Sequence, residues 1–96
     1  MTDPEALGRD YRAAFLRYLP RREEAALALG YELGREAVTS AISLLELAQI
    51  HHQILLSVLA DTRGDEVLDV ATAASEFLLE VLATFDMAQR ALREQG

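Results

Sequence analysis

Two histidines, His51 and His52, and three clustered acids, Asp65, Glu66 and Asp69, are the residues whose types could do chemistry in this chain. Imidazole is the commonest metal ligand and titrates near neutral pH. A helical metal site needs its ligands three or four positions apart, on one face. Adjacent helical residues diverge by about 100°, so His51 and His52 cannot converge on one ion. The positions one turn away hold Leu47 and Leu55, or Ala48 and Leu56, and none of these can ligate. His51 is therefore expected as a hydrogen-bonded residue on a helix face, with His52 nearer solvent. Asp65, Glu66 and Asp69 lack the surroundings of a calcium loop and sit where acids complement a helix N-terminus. The chain has no cysteine, which excludes a disulfide framework, a thiolate metal site and a cysteine nucleophile. It also has no G-x-S-x-G, no H-E-x-x-H and no glycine-rich phosphate loop. Neither catalysis by this domain nor a metal or cofactor is expected.

The elements that carry these residues read as four helices in a single domain over residues 1–96. Helix 1 is expected over about 3–19: Asp3 is an N-cap, Pro4 fits the first helical position and Glu5 the first turn, and Pro20 stops it. Its inward residues are Leu7, Tyr11, Ala14, Phe15, Tyr18 and Leu19. Helix 2 is expected over about 22–38, with Leu27, Gly30, Tyr31, Gly34 and Val38 on one stripe. Helix 3 runs over about 43–60, because Ser43 and Glu46 match a capping box. Leu44, Leu47, Ala48, His51, Leu55 and Val58 are expected to face inward. A D-T-R-G-D turn then leads into helix 4, over about 65–93. Strand-like alternation and tandem repeats are absent, so the expected architecture is all-α: an antiparallel four-helix bundle, taken to be dimeric.

Composition narrows the partners. Half of the residues are apolar, which argues for a packed core over disorder. Residues 1–35 hold six arginines and six acids, and residues 36–96 hold three arginines and ten acids. The net charge of −7 thus lies in the last two-thirds of the chain. Such a surface repels phosphate backbones and anionic headgroups, so neither nucleic acid nor membrane is an expected partner. No apolar run approaches the ~20 residues that span a bilayer, and M-T-D-P-E does not open a signal peptide. The expected location is the cytoplasm.

Helix 4 organises the rest. Phe77, Leu78, Val81, Leu82 and Phe85 line one face; Leu79 and Ala83 fall off it, one turn apart. That second apolar strip reads as a surface for contact. Phe77, Val81, Phe85 and Ala88 approach coiled-coil spacing, but Leu78 and Leu82 widen the stripe into a core face. Beyond Phe85 the helix is expected to protrude, leaving Met87, Ala88, Ala91 and Leu92 without internal partners. Gly30 and Gly34 leave a flat track at up to about 1 kcal/mol each in helix propensity. Packing within the chain is the first reading of that track and a subunit contact the second, which makes Gly30, Gly34, Met87 and Leu92 the candidate dimerisation residues.

Helix 3 with its Ile50-His51 pair, together with F-L-L-E-V-L-A-T-F-D-M-A in helix 4 and Tyr11, Tyr18 and Glu24 earlier, resembles the N-terminal domain of RsbU-type phosphatases. That family is similar in fold to the C-terminal domain of the circadian protein KaiA. The resemblance covers nearly the whole chain and rests on helical patterns without catalytic signatures. It implies a dimeric four-helix bundle that works by binding another protein, a switch kinase of the GHKL ATPase type. Docking would activate a PP2C-like phosphatase domain further along the same chain, in a partner-switching pathway that releases an alternative sigma factor under stress. The chain itself carries no phosphatase domain and is expected to be an N-terminal piece or a stand-alone adaptor. The resemblance places the partner surface on helix 2 and the second half of helix 4, at Glu24, Ala28, Leu79 and Ala83. Ala28 and Ala83 are smaller than the residues the family often has there, which reduces the apolar area offered to a kinase. The alternative is a structural dimerisation element of a PAS or histidine-kinase sensor protein. A ligand-binding sensor would need a cavity that the many leucines are expected to fill.

Overall fold

The computed structural model describes residues 2–95. Four α-helices make up the fold: α1 (Pro4–Tyr18), α2 (Glu24–Thr39), α3 (Leu44–Ala60) and α4 (Val67–Gln95), the last entered through a 3-10 turn at Gly64–Glu66. Among the described residues there is no strand. The fold is all-helical.

Local hydrogen bonding explains where the helices begin. The Asp3 carboxylate accepts the Ala6 amide at 2.7 Å, and Pro4 opens α1. At α3 the Ser43 amide donates to Glu46 Oε2 at 2.8 Å while the Glu46 amide donates to Ser43 Oγ at 3.1 Å. Two amides that helix geometry leaves without partners thus satisfy each other's side chains.

Helix 2 starts at Glu24 and not at Arg22. Arg22 has φ 53, a left-handed conformation that cannot begin a helix, and its amide donates to the Tyr18 carbonyl at 2.8 Å to close α1. Ala41 plays the same part after α2, with φ 57. There the Ile42 amide reaches back to the Ala37 carbonyl at 2.8 Å. Neither residue is the glycine that such a position favours.

The core is built on α4. Phe77 and Val81 are fully buried, and the Phe77 ring meets Tyr11, Phe15 and Tyr18 at centroid distances of 5.3, 5.7 and 5.7 Å. Burying side chains of this size stabilises the fold by roughly 1.5–3 kcal/mol each. The most extensive helix contact joins α2 to α4. Gly30 faces Phe77 and Val81, and Gly34 faces Val81, Thr84 and Phe85, so these two helices run side by side in the same direction. A Cβ on Gly34 would collide with Thr84 Oγ1 and the Val81 carbonyl, and would stand 2.9 Å from the Phe85 amide nitrogen.

Helix 3 departs from the expected phase. Of the six residues read as inward, only Leu47 is buried; His51, Leu55 and Val58 are half-buried, and Leu44 and Ala48 are exposed. The second buried residue is Ile54, supported by half-buried Ile50. Apolar residues surround much of α3, so its periodicity does not single out one face. The grip of α1 sets the rotation: Ile50 lies beside Gly8, His51 bonds Tyr11, and Ser57 accepts from Arg12 at 3.2 Å.

The molecule extends 49 × 24 × 17 Å, its length set by α4. From Arg90 to Gln95 every residue of α4 is exposed.

Candidate partner-binding surface

The surface starts from the α2–α4 seam. Gly30, Gly34 and Val38 turn one side of α2 onto α4. Glu24, Ala28, Tyr31 and Arg35 follow at i, i+4, i+7 and i+11, a spacing that keeps them on one stripe beside that contact. Glu24, Ala28 and Arg35 are exposed and Tyr31 is half-buried. On α4, Leu79, Ala83 and Met87 recur every four residues along the outer side. Leu79 is 63% exposed and Met87 is 55% exposed, large fractions for apolar side chains on a small protein.

The two stripes converge toward the C-terminal ends of their helices. There Tyr31, Arg35 and Val38 of α2 and Met87, Ala91 and Leu92 of α4 line an open groove of about 500 Å³. Glu24 and Ala28 lie at the opposite end of α2, and Leu79 and Ala83 lie one to two turns before the groove. Leu79 lies two residues from both Phe77 and Val81, which face Gly30, so helix geometry turns it away from α2, and the four residues do not gather into one pocket.

The sequence reading foresees Met87, Ala88, Ala91 and Leu92 as unpartnered but not the groove they form with Tyr31 and Arg35. Tyr31 was expected to be core, yet it sits at the margin of the inward stripe. Tyr31, Arg35 and Thr39 give the α2 side of the groove its polar groups, and Thr84 and Gln95 add two from α4. The signal available in the sequence for Tyr31 and Arg35 was their seven- and eleven-residue spacing from Glu24.

The glycine track has a different use from the subunit contact offered as its second reading. Gly30 and Gly34 are buried within the protomer, and their missing side chains admit Phe77, Val81 and Thr84. In this fold that track is closed to a second copy. Met87 and Leu92, the other two dimerisation candidates, are each more than half exposed.

The histidines fall as their helical divergence requires. His51 is half-buried, and its Nδ1 shares a 2.8 Å hydrogen bond with the Tyr11 hydroxyl, whereas His52 is exposed. Burial, followed by the nearby His52 charge, holds the His51 imidazole below its ordinary range. Burial likewise pushes the Tyr11 phenol up. The pair joins α1 to α3 through neutral groups. Among the described residues no group of three or more His, Cys, Asp or Glu side chains could hold a metal ion. No helix among them is long and apolar enough to cross a membrane.

Asp69 has a second role beside its place near a helix start. Its carboxylate accepts from Arg22 at 2.7 Å and its carbonyl accepts from the same guanidinium at 2.6 Å. Glu76 lies 3.4 Å from Arg22 and accepts the Tyr18 hydroxyl at 3.2 Å. This cluster fastens the α1–α2 turn to α4.

Compared with known families, residues 9–88 match the model of the phosphoserine phosphatase RsbU N-terminal domain. No curated protein and no solved structure matches the chain significantly.

Proposed function

Because this chain belongs to the RsbU N-terminal domain family, we propose that it is a regulatory protein–protein interaction module that docks a switch kinase of the GHKL ATPase type. Docking would activate a linked PP2C-like serine phosphatase in a cytoplasmic partner-switching pathway that answers stress through a sigma factor. The domain itself performs no catalysis in this reading. The observation that carries it is the pair of exposed stripes, Glu24–Ala28 on α2 and Leu79–Ala83 on α4. Leu79 supplies the apolar anchor and Glu24 a charged rim contact. Small Ala28 and Ala83 let a partner helix approach closely, but they bury little area. Affinity would then rest on a few well-packed side chains, as interface energetics commonly do.

The bundle works as a homodimer with sequential helices antiparallel, and α4 is the lever. A partner that alters how two α4 helices lie relative to each other alters how two output domains sit. The exposed end of α4, Arg90–Gln95, suits that role. It also favours the second reading, a structural dimerisation element of a PAS or histidine-kinase sensor.

The deciding experiment is a pull-down from native lysate with the tagged domain, read by mass spectrometry, using Leu79→Asp as control. A GHKL-type kinase held by the wild type and lost in the variant, with helicity and melting unchanged, supports recruitment. Recovery of no such kinase favours the sensor-scaffold reading.

A further inference from the structure

Helix 3 is the helix that the fold holds least. Of its seventeen residues only Leu47 and Ile54 are buried, whereas the shorter α1 buries five and α2 buries six. Its contacts with α1 and with α4 are each less extensive than those joining α2 to the same two helices. The core around Phe77 closes without it. Phe77 stands against Tyr11, Phe15 and Tyr18 of α1, and Gly30 of α2 makes room for its ring. Leu44, Leu45 and Leu56 already face solvent. Departure of α3 therefore gives up little apolar burial beyond Leu47, Ile54 and their half-buried neighbours.

The fastenings of α3 are few. Among the described residues two side-chain hydrogen bonds reach it from another element, both from α1. Tyr11 meets His51 Nδ1 at 2.8 Å, and Arg12 donates to Ser57 Oγ at 3.2 Å in an exposed position. No ion pair among the described residues ties α3 to another helix. Its two ends are finished locally. Ser43 and Glu46 satisfy each other's amides at the start, and the Thr62 hydroxyl donates to the Val58 carbonyl at 2.7 Å at the close. None of these bonds is lost when the helix moves away as a body. The flanking chain bends at Ala41, with φ 57, and passes through Gly64, where a side chain would meet nothing.

We infer that α3 is a detachable cover, opening from α1 and α4 as one unit while those helices and α2 stay folded around Phe77. The Tyr11–His51 hydrogen bond is its catch. Opening uncovers the Tyr11 phenol on α1 and widens the groove that Leu44 shares with Leu82 and Phe85 of α4. The device is separate from kinase docking at Leu79. It makes one face of the bundle available only in the open form.

Local opening of this kind is read by native-state hydrogen exchange. An undocked helix of this length is only marginally stable in water, so its amides exchange once it leaves. In the wild type at rising, sub-denaturing urea, α3 amides should exchange at a lower free energy than the core amides of α2 and α4. Their urea dependence should also be shallower, because the slope follows the surface exposed. Gly34→Ala weakens the α2–α4 seam, which stays closed in the open form. It should speed exchange in the core of α2 and α4 and leave α3 unchanged. Tyr11→Phe keeps the ring against Phe77 and removes the catch, so α3 exchange should rise about fivefold, the equivalent of one net hydrogen bond. An α3 that shares the urea slope of α2 and α4, or that accelerates with them in Gly34→Ala, overturns the inference. Unchanged α3 exchange in Tyr11→Phe overturns the assignment of the catch.

Discussion

Gly34 of α2 and Thr84 of α4 touch so closely that the absence of a side chain on the first makes room for the hydroxyl of the second. Thr84 is almost fully buried, and its Oγ1 returns its proton to the Val81 carbonyl at 3.1 Å. Gly34→Ala gains up to about 1 kcal/mol of helix propensity, but the new Cβ meets backbone as well as the threonine. Overpacking of this kind costs about 1–3 kcal/mol, so the variant should be less stable in urea titration. Thr84→Ala should not rescue it, because the Val81 carbonyl and Phe85 amide remain in place. Gly30→Ala should be milder: its Cβ would lie 3.2–3.3 Å from side-chain atoms of Phe77 and Val81, which can shift slightly.

Phe77 is the side chain whose removal should be felt most widely. It is fully buried and borders three aromatic rings of α1. Phe77→Ala should lower stability by about 3–5 kcal/mol. A 96-residue domain has only about 5–15 kcal/mol in total. Thermal melting followed at 222 nm should therefore show a large fall in Tm or loss of the transition.

Arg22 combines a left-handed backbone with contacts to Asp69 and Glu76. Arg22→Ala loses the contacts and keeps the backbone strain. Arg22→Gly loses the same contacts but relieves the strain, by about 1 kcal/mol. The glycine variant should accordingly be the more stable of the two in urea titration. The contacts themselves should amount to only about 1 kcal/mol, since Asp69 is largely exposed and solvent screens the pair. A wild-type advantage that shrinks in high salt would accompany this.

Acid should loosen the junction of α1 and α3 at His51. Its folded-state pKa lies below the ordinary 6.5, so the unfolded chain binds the proton more readily. Stability from the neutral imidazole is complete above about pH 6.5 and is lost as pH falls from there through the folded-state value. The wild-type Tm should therefore drop more steeply between neutral and mildly acidic pH than that of His51→Gln. Equal slopes would show that another group governs this range.

Much of the molecule was legible before any coordinates. Asp3, Pro4, Pro20 and the Ser43–Glu46 box mark helix ends through hydrogen bonds confined to a few neighbouring residues. The α1 stripe from Leu7 to Tyr18 and the α4 stripe through Phe77, Val81 and Phe85 were equally clear, because each helix has one strongly apolar side. Leu79 and Ala83 fall outside the α4 stripe by the same periodicity, and both are exposed.

What only the tertiary structure decided depends on which helix lies next to which. Gly30 and Gly34 announce a close approach, but spacing cannot say whether its other side is α4 or a second copy. Arg22 and Ala41 take left-handed conformations that their side chains do not favour, because the turns must return the chain to the core. Helix 3 is the clearest case. Its leucines point in nearly every direction, so Leu47 and Ile54 turn inward, and Leu45 and Leu56 outward, only once α1 and α4 have packed against it. A periodic pattern orients a helix when one side is polar; where most sides are apolar, the surfaces already occupied by its neighbours choose.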